Sequence, residues 1–231
     1  MILNMVKKRI EILLKKWKKA VYIDFKIDTK NTTLAKSYGL AKTYKNNIPL
    51  RIVVSCINWP VSQLPDYYKN LLTIACERPE HVIKNSNDFI DKVKNVTVPK
   101  HHIMASLDVV SLFPSVPYEL VKKSIKKRWN NIKMHTKMPF KEFIKGLEIL
   151  MGSLYFQNDN TYYKQINGLF IGLSVSRVFA DILLQYLKIV FLDRYKKSIK
   201  FYGRYVDDLY IIIAKNKLSM LVKHSNKTID R

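Results

Sequence analysis

The sequence predicts an α+β fold in which helices pack on one antiparallel sheet. Short runs of β-branched and aromatic residues alternate with longer segments whose apolar residues recur at helical spacing. No internal repeat and no Gly/Ser-rich or Pro-rich linker divides the sequence. Its 231 residues, 48% of them hydrophobic, are enough to bury a substantial core.

The N-terminal stretch MILNMVKKRIEILLKKWKKA predicts a helix with an apolar stripe and lysines around it. The stripe comprises Leu3, Val6, Ile10, Leu13 and Trp17. Three interpretations fit such a segment: a surface helix, a basic nuclear-import or nucleic-acid-binding arm, and a mitochondrial-type presequence. The glutamate and the scarcity of serine argue against the presequence.

The remaining elements follow from local patterns. Strands are expected at RIVVSCI (51–57) and HIMASLDVV (102–110), and a hairpin at SLYFQNDNTYYKQI (153–166). Helices are expected over 66–77, after an N-cap at Ser86, after Pro117, over 139–151 and over 176–195. Two short strands joined by a turn are expected over 201–213, in the stretch FYGRYVDDLYIII.

The charge balance favours a polyanionic partner. Lysine and arginine number 41 against 18 acidic residues, a net charge of +23 that is spread along the chain. Because each neutralised phosphate releases condensed counterions, such a charge favours nucleic acid, with an acidic lipid surface as the weaker alternative. The alternative is an unspecific basic surface without a partner, since an AT-rich genome that favours lysine codons would give the same net charge.

The two cysteines, Cys56 and Cys76, have no second pair or histidine spacing that would close a zinc site. They indicate a reducing, intracellular compartment, nuclear or cytoplasmic, and the sequence carries no secretory signal. No apolar run reaches membrane-spanning length, so no membrane association is expected.

The adjacent carboxylates of Asp207 and Asp208 stand out in the 201–213 hairpin, and Asp108 ends the strand expected at 102–110. An Asp-Asp pair in a turn is often no more than a solvated tip. If the strand and the hairpin are neighbours in one sheet, however, the three carboxylates converge and repel one another. Divalent cations relieve such repulsion, and two ions about 3.5–4 Å apart clamp the attacking and leaving oxygens of a phosphoryl transfer.

The motif YVDD resembles the palm signature of reverse transcriptases, and LDVVSLFPSVP resembles their preceding aspartate motif. YGLAKTYKNNIPLRIVVS (38–55), HVIKNSNDF (81–89) and YYKQINGLFIGLSVSRVFADILL (162–184) are similar to successive blocks of one subgroup, the Penelope-like retroelements. The resemblance runs from about residue 36 to about residue 215. It implies a right-hand polymerase fold, with fingers and palm, that is related to the telomerase catalytic subunit.

This resemblance divides the chain into a basic N-terminal helical segment (1–35) and a fingers and palm domain (36–231). It implies an RNA-directed DNA polymerase whose partners are an RNA template, a DNA primer and a deoxynucleoside triphosphate. Asp108 and Asp207 become the main ligands of two Mg²⁺ ions, with Mn²⁺ as the alternative, and Asp208 becomes a supporting ligand.

The same resemblance assigns the nucleotide-binding residues. Phe113 falls where the family has an aromatic gate under the sugar, which would clash with a 2′-hydroxyl, although core packing explains such a ring equally well. Arg51, Lys42 and Lys45 fall in the block whose cations grip the triphosphate, and arginine can do so bidentately.

The remaining assignments concern the template and primer. Gly172 lies where the family turns its backbone tightly beside the nucleotide, and Gln165 and Gly168 lie in the block leading to it. Arg204 and Tyr205 are expected to flank the primer end, although Tyr205 fits a core aromatic equally well.

The sequence also departs from the family pattern. FIGLSVSR (170–177) replaces a proline-rich run, which removes fixed φ angles from the loop beside the nucleotide. Only 23 residues follow Asp208, so we expect the thumb to be absent and the domain to be incomplete at its C-terminus. The alternative to a working polymerase is a catalytically silent, nucleic-acid-binding remnant of a retroelement, or a relic without function.

Overall fold

A computed structural model describes residues 2–25, 31–60 and 62–229 of the chain. In these ranges the helices are α1 (Ile2–Lys19), α2 (Gln63–Ala75), α3 (Ser86–Val93), α4 (Tyr118–Ile132), α5 (Phe140–Met151), α6 (Ser176–Leu192) and α7 (Lys215–Ile229). The strands are β1 (Ala35–Ala41), β2 (Leu50–Ser55), β3 (His102–Asp108), β4 (Tyr155–Asn158), β5 (Thr161–Lys164), β6 (Ile199–Tyr205) and β7 (Asp208–Ala214).

The α+β class is confirmed, but the strands form two sheets where one antiparallel sheet was expected. A four-stranded sheet has the order β2-β1-β4-β5, and a three-stranded sheet has the order β3-β7-β6. The three-stranded sheet is antiparallel, whereas β1 and β4 run parallel, with Ala35 opposite Phe156. The expectation failed because the β1–β4 pairing joins segments that are far apart in the sequence.

Strand β2 lies at one end of the four-stranded sheet, so its outer edge has no neighbour among the described strands. Two large apolar side chains on this strand are exposed, Leu50 at 67% and Ile52 at 61%. At Leu50 and Ile52, β2 therefore presents a free backbone edge flanked by apolar surface, whereas at Val54 the edge bonds to the Ile171 carbonyl.

The cap of α3 differs from the expected one. Asn85, rather than Ser86, is the N-cap, because its backbone is extended and its side chain accepts a hydrogen bond from the N–H of Asp88 at 3.0 Å. Ser86 is instead the first residue of the helix.

Helix α1 packs into the main core. The stripe residues Val6, Ile10, Leu13 and Trp17 are buried, and the Trp17 indole N–H donates to Glu142 of α5 at 3.1 Å. Residues 26–30 of the expected N-terminal segment lie outside the described ranges. Within those ranges, no helix is long and apolar enough to cross a membrane.

The two sheets are joined through the loop between β5 and α6, where two glycines with positive φ lie against other backbone segments. A Cβ on Gly168 (φ 72°) would lie 2.1 Å from the carbonyl oxygen of Pro114, and one on Gly172 (φ 121°) would lie 2.2 Å from that of Val54. The loop also forms a hydrogen bond with the segment after β3 and another with β2. Leu169 N–H donates to the Phe113 carbonyl at 2.8 Å, and Val54 N–H donates to the Ile171 carbonyl at 2.8 Å. These contacts set the position of β2 relative to the end of β3.

Gly172→Ala should destabilise the protein, because it combines an unfavourable φ with a backbone clash. We expect the free energy of unfolding to fall by about 2 kcal/mol or more, measured by urea denaturation. Gly39→Ala is the matched control, since a Cβ there meets only the flexible Leu50 side chain at 3.2 Å. Equal stability of the two variants would contradict the proposed close approach at Gly172.

Candidate active site

The three carboxylates singled out in the sequence lie at one end of the three-stranded sheet. β3 ends at Asp108 and β7 begins at Asp208, and the two residues are directly opposite each other in the antiparallel register. Asp207 precedes Asp208 in the turn between β6 and β7. Strand β3 and the β6–β7 hairpin are thus neighbours in one sheet, which is the condition under which the three carboxylates were expected to lie close together.

The turn that carries Asp207 is conformationally unusual. Its other residue, Val206, has φ 53°, a left-handed value that β-branched residues rarely adopt. The Val109 N–H donates to the Asp207 carbonyl at 3.3 Å, and the Arg204 guanidinium donates to the Val206 carbonyl at 2.7 Å. Both carbonyls of the turn are therefore held by hydrogen bonds from the surrounding protein.

Arg204 lies inside the protein, with 1% of its surface exposed. The same Nη1 that bonds Val206 also donates to Asp181 of α6 at 2.9 Å. The Arg204 backbone forms a parallel bridge with Val82, in which Arg204 N–H donates to the His81 carbonyl at 3.0 Å. Arg204 thus connects the carboxylate turn to α6 and to the segment before α3.

The carboxylates repel one another in the absence of a cation. The pKa of Asp208 is raised above its ordinary value, first by burial and then by the negative charges of Asp207 and Asp108. Oxygen ligands of this kind suit Mg²⁺, which commonly takes one or two carboxylates and completes its shell with water and substrate phosphates. Among the described residues, no group of three or more Asp, Glu, His or Cys side chains is placed to hold a metal ion.

A cleft of about 520 Å³ opens beside Asp208, between α3 and the three-stranded sheet. Its walls include Phe89, Ser106, Tyr205 and Tyr210. Tyr205 is half exposed, at 49%, which places its ring at the surface rather than in the core.

The residues expected to bind the nucleotide lie on both sheets. Arg51 is exposed on β2, Lys45 is exposed in the β1–β2 connection, and Lys42 is half-buried at its start. Phe113 follows β3, where its half-buried ring packs against the main core.

Gln165, Gly168 and Gly172 all belong to the segment that joins the two sheets. The glycines make close approaches to Pro114 and Val54 of the protein itself, so chain packing alone explains why a Cβ is excluded there. The Gln165 side-chain amide donates to the Asn167 carbonyl at 2.9 Å. The loop over 170–177 is anchored by the buried side chains of Phe170 and Leu173 in place of the prolines of the family pattern.

No protein-family model and no curated protein sequence matches this chain. Solved structures do match its fold. Apo telomerase from Candida tropicalis, truncated from its C-terminal domain, aligns over 82% of this chain with 15% identity and a TM-score of 0.59. Telomerase from Candida albicans, in complex with the TWJ fragment of telomeric RNA, aligns over 94% with 14% identity and a TM-score of 0.56.

An enzyme of another class, an RNA-dependent RNA polymerase, is also similar to this chain in fold. The BmCPV RNA-dependent RNA polymerase at its elongation state aligns over 85% of this chain with 15% identity and a TM-score of 0.54. The chain spans 45%, 44% and 19% of the lengths of these three structures. At these identities the likeness establishes the fold, which is that of the fingers and palm of reverse-transcriptase-like polymerases.

Asp208→Asn should stabilise the protein in a chelating buffer, because it removes a carboxylate whose charge is disfavoured in the folded state. A raised folded-state pKa means that the charged form opposes folding above that pKa, so the gain in Tm is expected at pH 7. It should vanish as the pH falls below about 4, where the carboxyl is neutral in both states. Asp24→Asn, an exposed carboxylate outside the cluster, serves as the control and should give no such pH-dependent gain.

Arg204→Ala should destabilise the protein by on the order of 2 kcal/mol, since it frees Asp181 and the Val206 carbonyl and leaves a cavity. Removing the exposed Arg177, on the first turn of α6, should change the free energy of unfolding by less than about 0.5 kcal/mol. Similar urea midpoints for the two variants would show that Arg204 does not support the turn.

Proposed function

We propose that this chain is the fingers and palm part of an RNA-directed DNA polymerase of the Penelope-like retroelement type. The observation that carries the proposal is the register of β3 and β7, which sets Asp108 opposite Asp208 with Asp207 in the adjoining turn. The reaction would add a deoxynucleotide to the 3′-hydroxyl of a DNA primer along an RNA template.

Asp108 and Asp207 would hold two Mg²⁺ ions, or Mn²⁺ in their place, with Asp208 in support. When bound, the ions would supply Lewis-acid stabilisation of the attacking and leaving oxygens. The Arg204 and Val109 hydrogen bonds would hold the backbone of the turn that carries Asp207 in place.

The residues around the carboxylates would orient the incoming nucleotide. Arg51, Lys42 and Lys45 would grip the triphosphate, with Arg51 able to do so through two parallel hydrogen bonds. The Phe113 ring would lie under the sugar and disfavour a 2′-hydroxyl.

The segment containing Gln165, Gly168 and Gly172 would line the template and nucleotide side of the site. Tyr205, whose half-exposed ring lies in the cleft beside Asp208, would contact the primer end. Arg204 would serve the primer side indirectly, by supporting the turn from inside.

The +23 net charge supports binding of the RNA template and DNA primer. Cys56 and Cys76 are both free thiols, which supports a reducing location, nuclear or cytoplasmic.

A catalytically silent nucleic-acid binder is the second candidate. It is favoured by two observations: among the described residues no group of three or more Asp, Glu, His or Cys side chains is placed to hold a metal ion, and basic residues are in excess. Such a protein would bind RNA or DNA with a strong salt dependence and would synthesise nothing.

The decisive experiment is extension of a labelled DNA primer on an RNA template in Mg²⁺. Asp207→Asn should reduce the rate by at least about 100-fold, since it removes a carboxylate that would hold the ions. The products are resolved by denaturing gel electrophoresis.

Asp24→Asn is the control for carboxylate removal and should extend the primer at the wild-type rate. Equal extension by the wild type and Asp207→Asn would overturn the proposed chemistry. Absence of extension by either protein, with RNA binding intact, would support the silent binder.

A further inference from the structure

The outer edge of β2 leaves the backbone of two residues open. The Val54 N–H points away from β1, since it donates to the Ile171 carbonyl at 2.8 Å. In an antiparallel pair, residues that bond across the ladder alternate with residues that do not. Ile52 and Leu50 follow the same alternation as Val54, so they also direct their N–H and C=O groups outward. No other strand and no other described backbone segment bonds to them there.

The side chains of Leu50 and Ile52 lie together on one face of the sheet, because alternate residues of a strand share a face. Both side chains are large, apolar and exposed. Gly39, opposite Ile52 on β1, has no side chain that could cover it. A strand added beside β2 would place its own side chains next to Leu50 and Ile52, and burial of apolar groups on both strands would stabilise the pairing.

The opposite face of β2 carries a cation between these two residues. Arg51 is exposed and forms no salt bridge with a described residue. The stretch over 31–55 contains four basic residues and no Asp or Glu. An acidic side chain beside Arg51 would therefore supply a charge that this part of the chain lacks.

These features favour an extended peptide in which apolar and acidic residues alternate. The N–H and C=O groups along the edge match another peptide strand, whereas the phosphates of a nucleic acid would meet carbonyl oxygens and apolar side chains. A second copy of this chain is a poor occupant, because its β2 would bring Arg51 and no carboxylate. Each copy also carries a net charge of +23, which opposes self-association.

We infer that the outer edge of β2 binds an extended segment of a partner protein by strand addition, with apolar residues beside Leu50 and Ile52 and an acidic residue beside Arg51. In the antiparallel orientation the two apolar residues exchange backbone hydrogen bonds with Leu50 and Ile52. The acidic residue between them directs its own N–H and C=O away from β2. The inference goes beyond the proposed function and does not depend on it, because neither the carboxylates nor a nucleotide takes part.

The test measures binding of a fluorescein-labelled peptide, Ser-Thr-Val-Glu-Val-Thr-Ser, by fluorescence anisotropy. N-methylation of either valine removes a donor that faces β2 and should weaken binding by at least about tenfold. N-methylation of the glutamate, whose N–H points away, should leave the affinity within about twofold of the unmodified peptide. Attraction of an acidic peptide to the net charge alone would treat the N-methylated peptides alike.

Variants of the protein test the same edge from the other side. Ile52→Pro removes the outward N–H without removing a hydrogen bond to β1, and should weaken peptide binding by at least about tenfold. Leu50→Ser should weaken it by about fivefold, since an apolar contact is lost. Ile74→Ser, on α2, is the matched control because Ile74 is 66% exposed and Leu50 67%, and it should bind the peptide as the wild type does. The Tm of each variant checks folding.

Reversal of the charges tests the contact with Arg51. Arg51→Glu should weaken binding of the glutamate peptide by about fivefold or more and strengthen binding of a peptide with lysine in its place. A general effect of net charge would not invert the preference, because the variant protein is still strongly basic.

Three outcomes would overturn the inference: equal affinities of the valine-methylated and glutamate-methylated peptides, wild-type affinity of Ile52→Pro, or an unchanged peptide preference of Arg51→Glu. Dimerisation of the wild type that Ile52→Pro abolishes, measured by analytical ultracentrifugation, would also overturn it, because a second copy would then occupy the edge.

The result is separable from the polymerase proposal. Asp207→Asn should bind the peptide with wild-type affinity, because the carboxylate lies on the other sheet. Loss of edge-dependent peptide binding with primer extension intact would overturn this inference alone. Edge-dependent peptide binding without primer extension by the wild type would overturn the polymerase proposal alone.

Discussion

The architecture depends on a close contact between backbone segments, at which the loop after β5 lies against the end of β3 on one side and β2 on the other. At Gly168 and Gly172 the chain approaches carbonyl oxygens so closely that no side chain fits. The hydrogen bonds of Leu169 to Phe113 and of Val54 to Ile171 close the same contact. The carboxylate of Asp108 at the end of β3 and the cation of Arg51 on β2 are therefore held in fixed relative positions, although their sheets share no strand.

The carboxylate end of the three-stranded sheet is locally unfavourable and is stabilised from outside. A β-branched residue in the left-handed region, such as Val206, carries a cost of order 1–3 kcal/mol. The charged form of Asp208 is also disfavoured, since its pKa is raised first by burial and then by the charges of Asp207 and Asp108. The buried guanidinium of Arg204 offsets the cost of the turn, because it donates a hydrogen bond to the Val206 carbonyl. Such unfavourable features persist where function requires them.

Local patterns in the sequence were sufficient to predict most helices and the strands that are rich in β-branched residues. They were insufficient for β1, whose sequence AKSYGLA has no such residues and is a strand only because β2 and β4 pair with it. They also missed α7, where lysines and other polar residues interrupt the apolar spacing.

For the candidate site too, local sequence motifs predicted some features, whereas features that depend on contacts between distant segments could not be predicted. Asp108, Asp207 and Asp208 were singled out by their motifs in the sequence, and the β3–β7 pairing brings them to one end of the sheet. The interior position of Arg204 was missed, because burial of a cation depends on its partner Asp181, which lies on a different element.

The free edge of β2 has a consequence for how the protein behaves in concentrated solution. Unpaired backbone groups beside the exposed Leu50 and Ile52 are a template for strand pairing between copies. The net charge of +23 keeps copies apart by mutual repulsion. Polyanions neutralise that charge, so the colloidal stability of the protein is lowest when nucleic acid coats it without covering the β2 edge.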